Sequence, residues 1–214
     1  MIELDITKTE EFDERVLDIC FEKVSFEQYL KDWKNLYNPN NPNDYDENIV
    51  KKIKDIYDNI KLPSRSTKGS AGFDFYSPFT FTMKIGSNII IPTGIRFKTN
   101  TKGVVLCVFP RSGLGTKYGI QIANTVGIID EDYYEADNEG HIMIKLQMNG
   151  QFMPLTIEFS DDDTYSMDHA HTYVNTNLRI ESGTKFCQGI VLKYFNDGQE
   201  VDKQRTGGFG STGN

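Results

Sequence analysis

The run Gly127-Ile128-Ile129-Asp130 delivers an aspartate at the end of a short apolar stretch. A carboxylate displayed there can sit at the rim of a pocket and take a proton from water. Two neighbours extend the chemistry. Asn124 offers the paired donor and acceptor of an amide, which suits reading the edge of a planar base. Tyr133, three residues beyond Asp130, reaches the same surroundings. Taken alone, the stretch fits equally well a hairpin in which Asp130 caps a turn and Tyr133 covers it.

Other segments carry groups suited to anions. Pro110-Arg111-Ser112-Gly113 follows an apolar run, and the arginine fork with nearby hydroxyl and amide donors matches phosphate oxygens. Ser70-Ala71-Gly72-Phe73-Asp74 places a carboxylate after a tight small-residue approach, and Gln188 stands at a strand entrance. The C-terminal Arg205-Thr206-Gly207-Gly208-Phe209-Gly210-Ser211 lets backbone N–H groups approach oxygens closely. Phe209, a lone aromatic among glycines, suits stacking on a flat ligand. The spacing of Gly208 and Gly213 imitates a phosphate-binding P-loop, but Asn214 occupies the lysine position, which excludes it. Each of these segments, by itself, reads equally as a turn or a loose end.

The elements that must position these residues change in kind near residue 62. Before it, Ser25 can cap a helix carrying Phe26, Tyr29, Leu30, Trp33 and Leu36. After a polar break, Asp44 and Glu47 resemble a capping box ahead of Ile49, Ile53, Ile56, Tyr57 and Ile60. An earlier helix around Glu10–Cys20 completes the expectation. Beyond Pro63 the chain turns to short strands: 103–109 is continuously apolar, and 141–148 alternates. There Ile142, Ile144, Leu146 and Met148 oppose His141, Met143, Lys145 and Gln147. Segments 155–159, 173–180 and 190–195 also read as strands. The expected fold is mainly β, a jelly-roll-like barrel at 63–214 with a helical extension at 1–62.

The balance of residues sets limits. A net charge of −8 disfavours a nucleic-acid backbone as partner, while leaving room for a small anion. The sequence has no run of about 18 apolar residues, and its acidic N-terminus lacks the apolar region of a secretory signal, so no membrane partner is expected. Cys20, Cys107 and Cys187 are scattered, which fits a reducing, intracellular setting.

In order, GSAGFDF, PRSG, NTVGIIDEDY, KFCQ and GGFGSTG resemble the five motifs of the trimeric dUTPase family. The leader LPSRSTKGSAGFDF and the segment IIIPTGI are similar as well, so the resemblance spans about 62–214. It implies a homotrimer with shared active sites that converts dUTP to dUMP and pyrophosphate. In that family's terms, Asp130 is the base, and Asn124 with the hairpin backbone at Gly127, Ile128 and Ile129 reads uracil. Tyr133 packs on deoxyribose. Arg111, Ser112, Gly113 and Gln188 meet the phosphates, and Asp74 holds waters of a Mg²⁺ cofactor. Phe209 stacks over uracil when the arm at 203–214, with Gly210 and Ser211, closes from a neighbouring subunit.

Departures from the pattern are local. Arg205 lies one residue nearer the GG pair than usual and is still expected to reach the γ-phosphate. About five residues (EADNE) enter after Tyr134, and if Gly140 resumes the register, Met143 falls at a substrate-contacting position. A longer segment at about 150–180 holds His169 and His171, read either as a metal pair or as a hydrated hairpin. Two other readings remain at this level: a dCTP deaminase relative, and a protein-binding role for 1–62 or 150–180.

Overall fold

The computed structural model describes residues 18–41, 45–149, 155–158, 164–167, 177–195 and 198. The strands, in chain order, are β1 (Ile19–Lys23), β2 (Ser64–Arg65), β3 (Phe73–Tyr76), β4 (Phe81–Met83), β5 (Asn88–Pro92), β6 (Ile95–Thr99) and β7 (Val104–Pro110), followed by β8 (Ile120–Ile122), β9 (Gly127–Ile129), β10 (Met143–Met148), β11 (Leu155–Glu158), β12 (Thr164–Met167), β13 (Leu178–Ile180) and β14 (Lys185–Lys193). Among the described residues three α-helices accompany them, α1 (Phe26–Tyr37), α2 (Glu47–Asp58) and α3 (Ser112–Tyr118), with a short 3-10 turn at Tyr133–Glu135.

The largest sheet has the order β2-β3-β14-β7-β9, and a second runs β5-β10-β8. Pairs β1-β6, β13-β4 and β11-β12 complete the set, and every pairing is antiparallel. Early strands pair with late ones (β3 with β14, β4 with β13, β5 with β10), the long crossovers of a jelly-roll-like barrel. Strand β7 lies between β14 and β9, which explains its continuous apolar run. In β10, alternation holds: Ile144, Leu146 and Met148 are buried, while Lys145 is exposed.

The two expected helices form. Ser25 caps α1 by accepting from the Gln28 amide, and Asp46, not Asp44, caps α2 by accepting from Ile49. The reason is local: Asp46 immediately precedes the first turn, so its carboxylate reaches that turn's orphan N–H groups. Where a first helix was expected around Glu10–Cys20, Ile19–Lys23 is a strand paired with β6. The open edge of β6 takes this segment because its backbone groups need partners; residues 10–17 lie outside the described ones.

These N-terminal elements share one buried cluster with the barrel. Val24, Tyr29, Ile53 and Ile60 pack in the same core as Phe75, Ile91, Phe97 and Leu106. Burying each such side chain is worth about 1.5–3 kcal/mol. Gly94 makes the junction possible: at φ +71° it has no Cβ to strike the Ile60 side chain, and Tyr29 lies close by. Among the described residues no helix is long and apolar enough to cross a membrane. Of the expected strand 173–180, only Leu178–Ile180 is described. His169, His171 and the arm at 203–214, with Arg205, Phe209, Gly210 and Ser211, lie outside the described residues.

Candidate active site

Three of the sequence motifs meet at one end of the large sheet. Gln188 of β14 pairs directly with Asp74 of β3 on one side and with Phe109 of β7 on the other. Arg111 follows β7, and its backbone N–H donates to the Phe186 carbonyl at 3.2 Å. A methyl group on Gly72 would stand 3.1 Å from the Gln188 Oε1, so the glycine leaves room for the amide to lie across it. Ser112 and Gly113 open the short helix α3 and are exposed beside Arg111.

Asp74 is the charged centre of this group. Its Oδ2 lies 2.8 Å from the Lys185 ammonium and accepts from the Ser66 hydroxyl, to which Lys185 also donates. Burial pushes the Asp74 carboxyl upward, yet the hydrogen bonds from Lys185 and Ser66, with the charges of Lys185 and Arg111, outweigh it. The carboxyl is held below its ordinary value. Lys185 and Ser66 were not singled out from the sequence, although both lie inside stretches that carry the family likeness.

A second feature is an apolar pocket of about 310 Å³. Asn124, Gly127, Ile129 and Met143 line it, as does Leu36 from α1. The register of β10 with β8 covers Leu146–Met148, and Ala123 N–H donates to the Lys145 carbonyl. On the β10 side the pocket is lined by Ile142, Met143, Ile144 and Lys145. Gly140 (φ +69°) ends the inserted loop, because a Cβ there would lie 2.7 Å from Tyr134 Cα. Met143 then opens β10 at the pocket wall.

Alternation along β9 divides its residues. Gly127 and Ile129 are buried toward the pocket, whereas Ile128 is 52% exposed on the opposite side. Asp130 shares that side, in a shallow groove with Val105, Ile128 and Tyr194. Asp130 and Asn124 therefore do not line the same pocket within one chain. Tyr133 is buried; its hydroxyl donates to the His141 carbonyl at 3.0 Å and accepts from the Asn138 amide at 2.9 Å. It does not line the pocket; its hydroxyl holds the His141 carbonyl, next to the pocket residue Ile142.

His141, read from alternation as part of the outward polar face, is fully buried instead. Its Nδ1 meets Asp32 Oδ2 at 2.6 Å, and its Nε2 accepts from the Gly94 amide at 2.8 Å. The ring thus carries its proton on Nδ1 and donates to Asp32. Helix α1 covers this position, and a period-two pattern carries no information about a covering helix. Glu139, in the same loop, accepts from the Ser25 amide and hydroxyl at 2.7 and 2.6 Å.

Comparisons with known proteins bear on this arrangement. The family model for dUTPase matches residues 58–157. The deoxyuridine 5′-triphosphate nucleotidohydrolase of Lactococcus lactis is 32% identical over 169 residues, which is 77% of this chain and 95% of that protein. A namesake from Hahella chejuensis is 30% identical over 174 residues, again 77% and 95% of the two chains. The crystal structure of a dUTPase from Streptococcus mutans is similar with a TM-score of 0.47 and 26% identity, covering 63% of this chain and 87% of that one.

Proposed function

This chain belongs to the dUTPase family and hydrolyses dUTP to dUMP and pyrophosphate, and we propose that Asp130 is the general base of a site assembled from several subunits. The carrying observation is the convergence of Asp74, Gln188 and Arg111 at one end of the large sheet, apart from the pocket of Asn124, Gly127 and Ile129. One group suits a phosphate chain and the other a planar base.

In this reading Asp130 takes a proton from water, whose oxygen attacks the α-phosphorus in line. The bond to the α,β-bridging oxygen breaks, and pyrophosphate leaves with that oxygen. Arg111, Ser112, Gly113 and Gln188 contact the phosphates. Asn124 and the backbone at Gly127, Ile128, Ile129 and Met143 read the uracil edges, and tight walls exclude a thymine methyl. Tyr133, pinned by its two hydrogen bonds, fixes the floor against which deoxyribose packs without room for a 2′-hydroxyl. Arg205 meets the γ-phosphate, and Phe209 with Gly210 and Ser211 closes over the nucleotide from another chain of a homotrimer.

A metal is part of the proposal. Among the described residues no three His, Cys, Asp or Glu side chains cluster, and the Asp74 carboxylate already holds Lys185. That donor set fits a Mg²⁺ brought in on the triphosphate, with Asp74 holding its waters, because Mg²⁺ retains several waters readily. When bound, the ion supplies charge neutralisation along the phosphates.

Pyrophosphate release measured with dUTP, dTTP, UTP and dCTP, with and without Mg²⁺, tests this reading. Turnover confined to dUTP is expected; ammonia release from dCTP would favour a deaminase instead.

A further inference from the structure

We infer that helix α1 is a wall of the nucleobase pocket and that Leu36 is a specificity-determining residue, an inference that rests on the pocket's assignment to uracil. Leu36 lines the pocket together with Asn124 and Met143, although it lies almost ninety positions earlier in the chain than Asn124. It is half-buried, as expected of a side chain that forms a rim and can meet a ligand.

A wall must be held in place, and α1 is fastened along its length. At its N-terminus, Ser25 gives both its amide and its hydroxyl to Glu139. In its middle, Asp32 accepts from Gln28 at 2.8 Å and from the buried His141 ring. At its end, the Tyr37 hydroxyl donates to the Ile90 carbonyl at 2.6 Å. Ile90 itself lines the pocket, and His141 directly precedes the pocket residues Ile142 and Met143. The helix is thus tied to β5 and to the loop that leads into β10, both of which adjoin residues lining the pocket. Leu36 stands next to the last of these ties, so its position is fixed relative to Ile90. A rigid apolar rim of this kind discriminates by excluded volume: an extra methyl group in a filled pocket typically changes selectivity about 10- to 200-fold.

The test uses the full chain with two variants. For Leu36→Ala, the ratio of kcat/KM for dUTP over dTTP should fall by about tenfold or more, with KM for dUTP raised and kcat little changed. For Leu36→Cys, alkylation of the introduced thiol, followed at its own peptide by mass spectrometry, should be slowed at least severalfold by saturating dUMP. This second readout does not depend on turnover, and it keeps the inference testable if the alanine variant folds poorly. An unchanged dUTP/dTTP ratio in a folded Leu36→Ala protein, or alkylation of the introduced thiol that is indifferent to dUMP, overturns it. Failure of the wild-type chain to hydrolyse dUTP would instead refute the underlying functional reading, so the two failures are separable.

Discussion

Asp130 and Arg111 stand at opposite ends of β7. Ile129, just before Asp130, pairs with Leu106, whereas Arg111 directly follows Pro110, the strand's last residue. Asp130 lies beside Val105, and from Val105 to Pro110 the strand runs roughly 17 Å at about 3.3 Å per residue. On the proposed reading, a nucleotide whose phosphates are held by Arg111 of one subunit takes its base, Asp130, from another. Mixing two inactive variants, Asp130→Asn and Arg111→Ala, after joint unfolding and refolding should therefore restore about a quarter of wild-type turnover through random assembly of a symmetric oligomer. Turnover that stays at the level of the separate variants would show that each chain supplies both residues to its own site.

Acid should loosen the fastening of α1. Burial raises the Glu139 carboxyl, but the Ser25 hydroxyl and amide, with the charge of Arg96, hold it below its ordinary value. A depressed carboxyl contributes stability that is present above its unfolded pKa of about 4.3 and is lost as pH falls through its folded value. The urea midpoint difference between wild type and Glu139→Gln should be clear at pH 7 and should shrink as pH drops below about 4. A difference that stays constant over that range would mean the Ser25–Glu139 contact carries no net charge-dependent stability.

How much of this was legible in the sequence follows from the range of each interaction. Helix α1, its Ser25 cap and the alternation of β10 depend on neighbours a few residues away, and they read correctly. The buried His141 did not, because what hides it is Asp32, more than a hundred positions earlier. Leu36 belonged to an apolar helix stripe that looked like ordinary core packing, and only the folded chain shows that the stripe ends at a pocket. The order of the five motifs pointed to one reaction. Motif order carries no distances, however, so the span between Asp130 and Arg111 had to come from the strand register.

Thr125, in the turn between β8 and β9, has φ +68°, a left-handed conformation that a β-branched residue adopts at a cost of about 1–3 kcal/mol. It sits between Asn124, which lines the pocket, and Val126, whose amide donates to the Asn124 carbonyl at 2.7 Å. Asparagine tolerates this conformation better, so Thr125→Asn should raise stability by about 1 kcal/mol, read as a shift of the urea midpoint. A destabilised variant would indicate that the threonine side chain makes a contact outweighing the strain.

The most direct test concerns Asp130 itself. Pyrophosphate release from dUTP should fall about 10²- to 10⁴-fold in Asp130→Asn, the range expected for loss of a general base, while binding of a non-hydrolysable dUTP analogue stays close to wild type. The substitution keeps the side chain's shape, and Asp130 lies on the exposed side of β9, so the fold should survive it. Hydrolysis by Asp130→Asn at the wild-type rate would contradict the assignment and move the base elsewhere in the site.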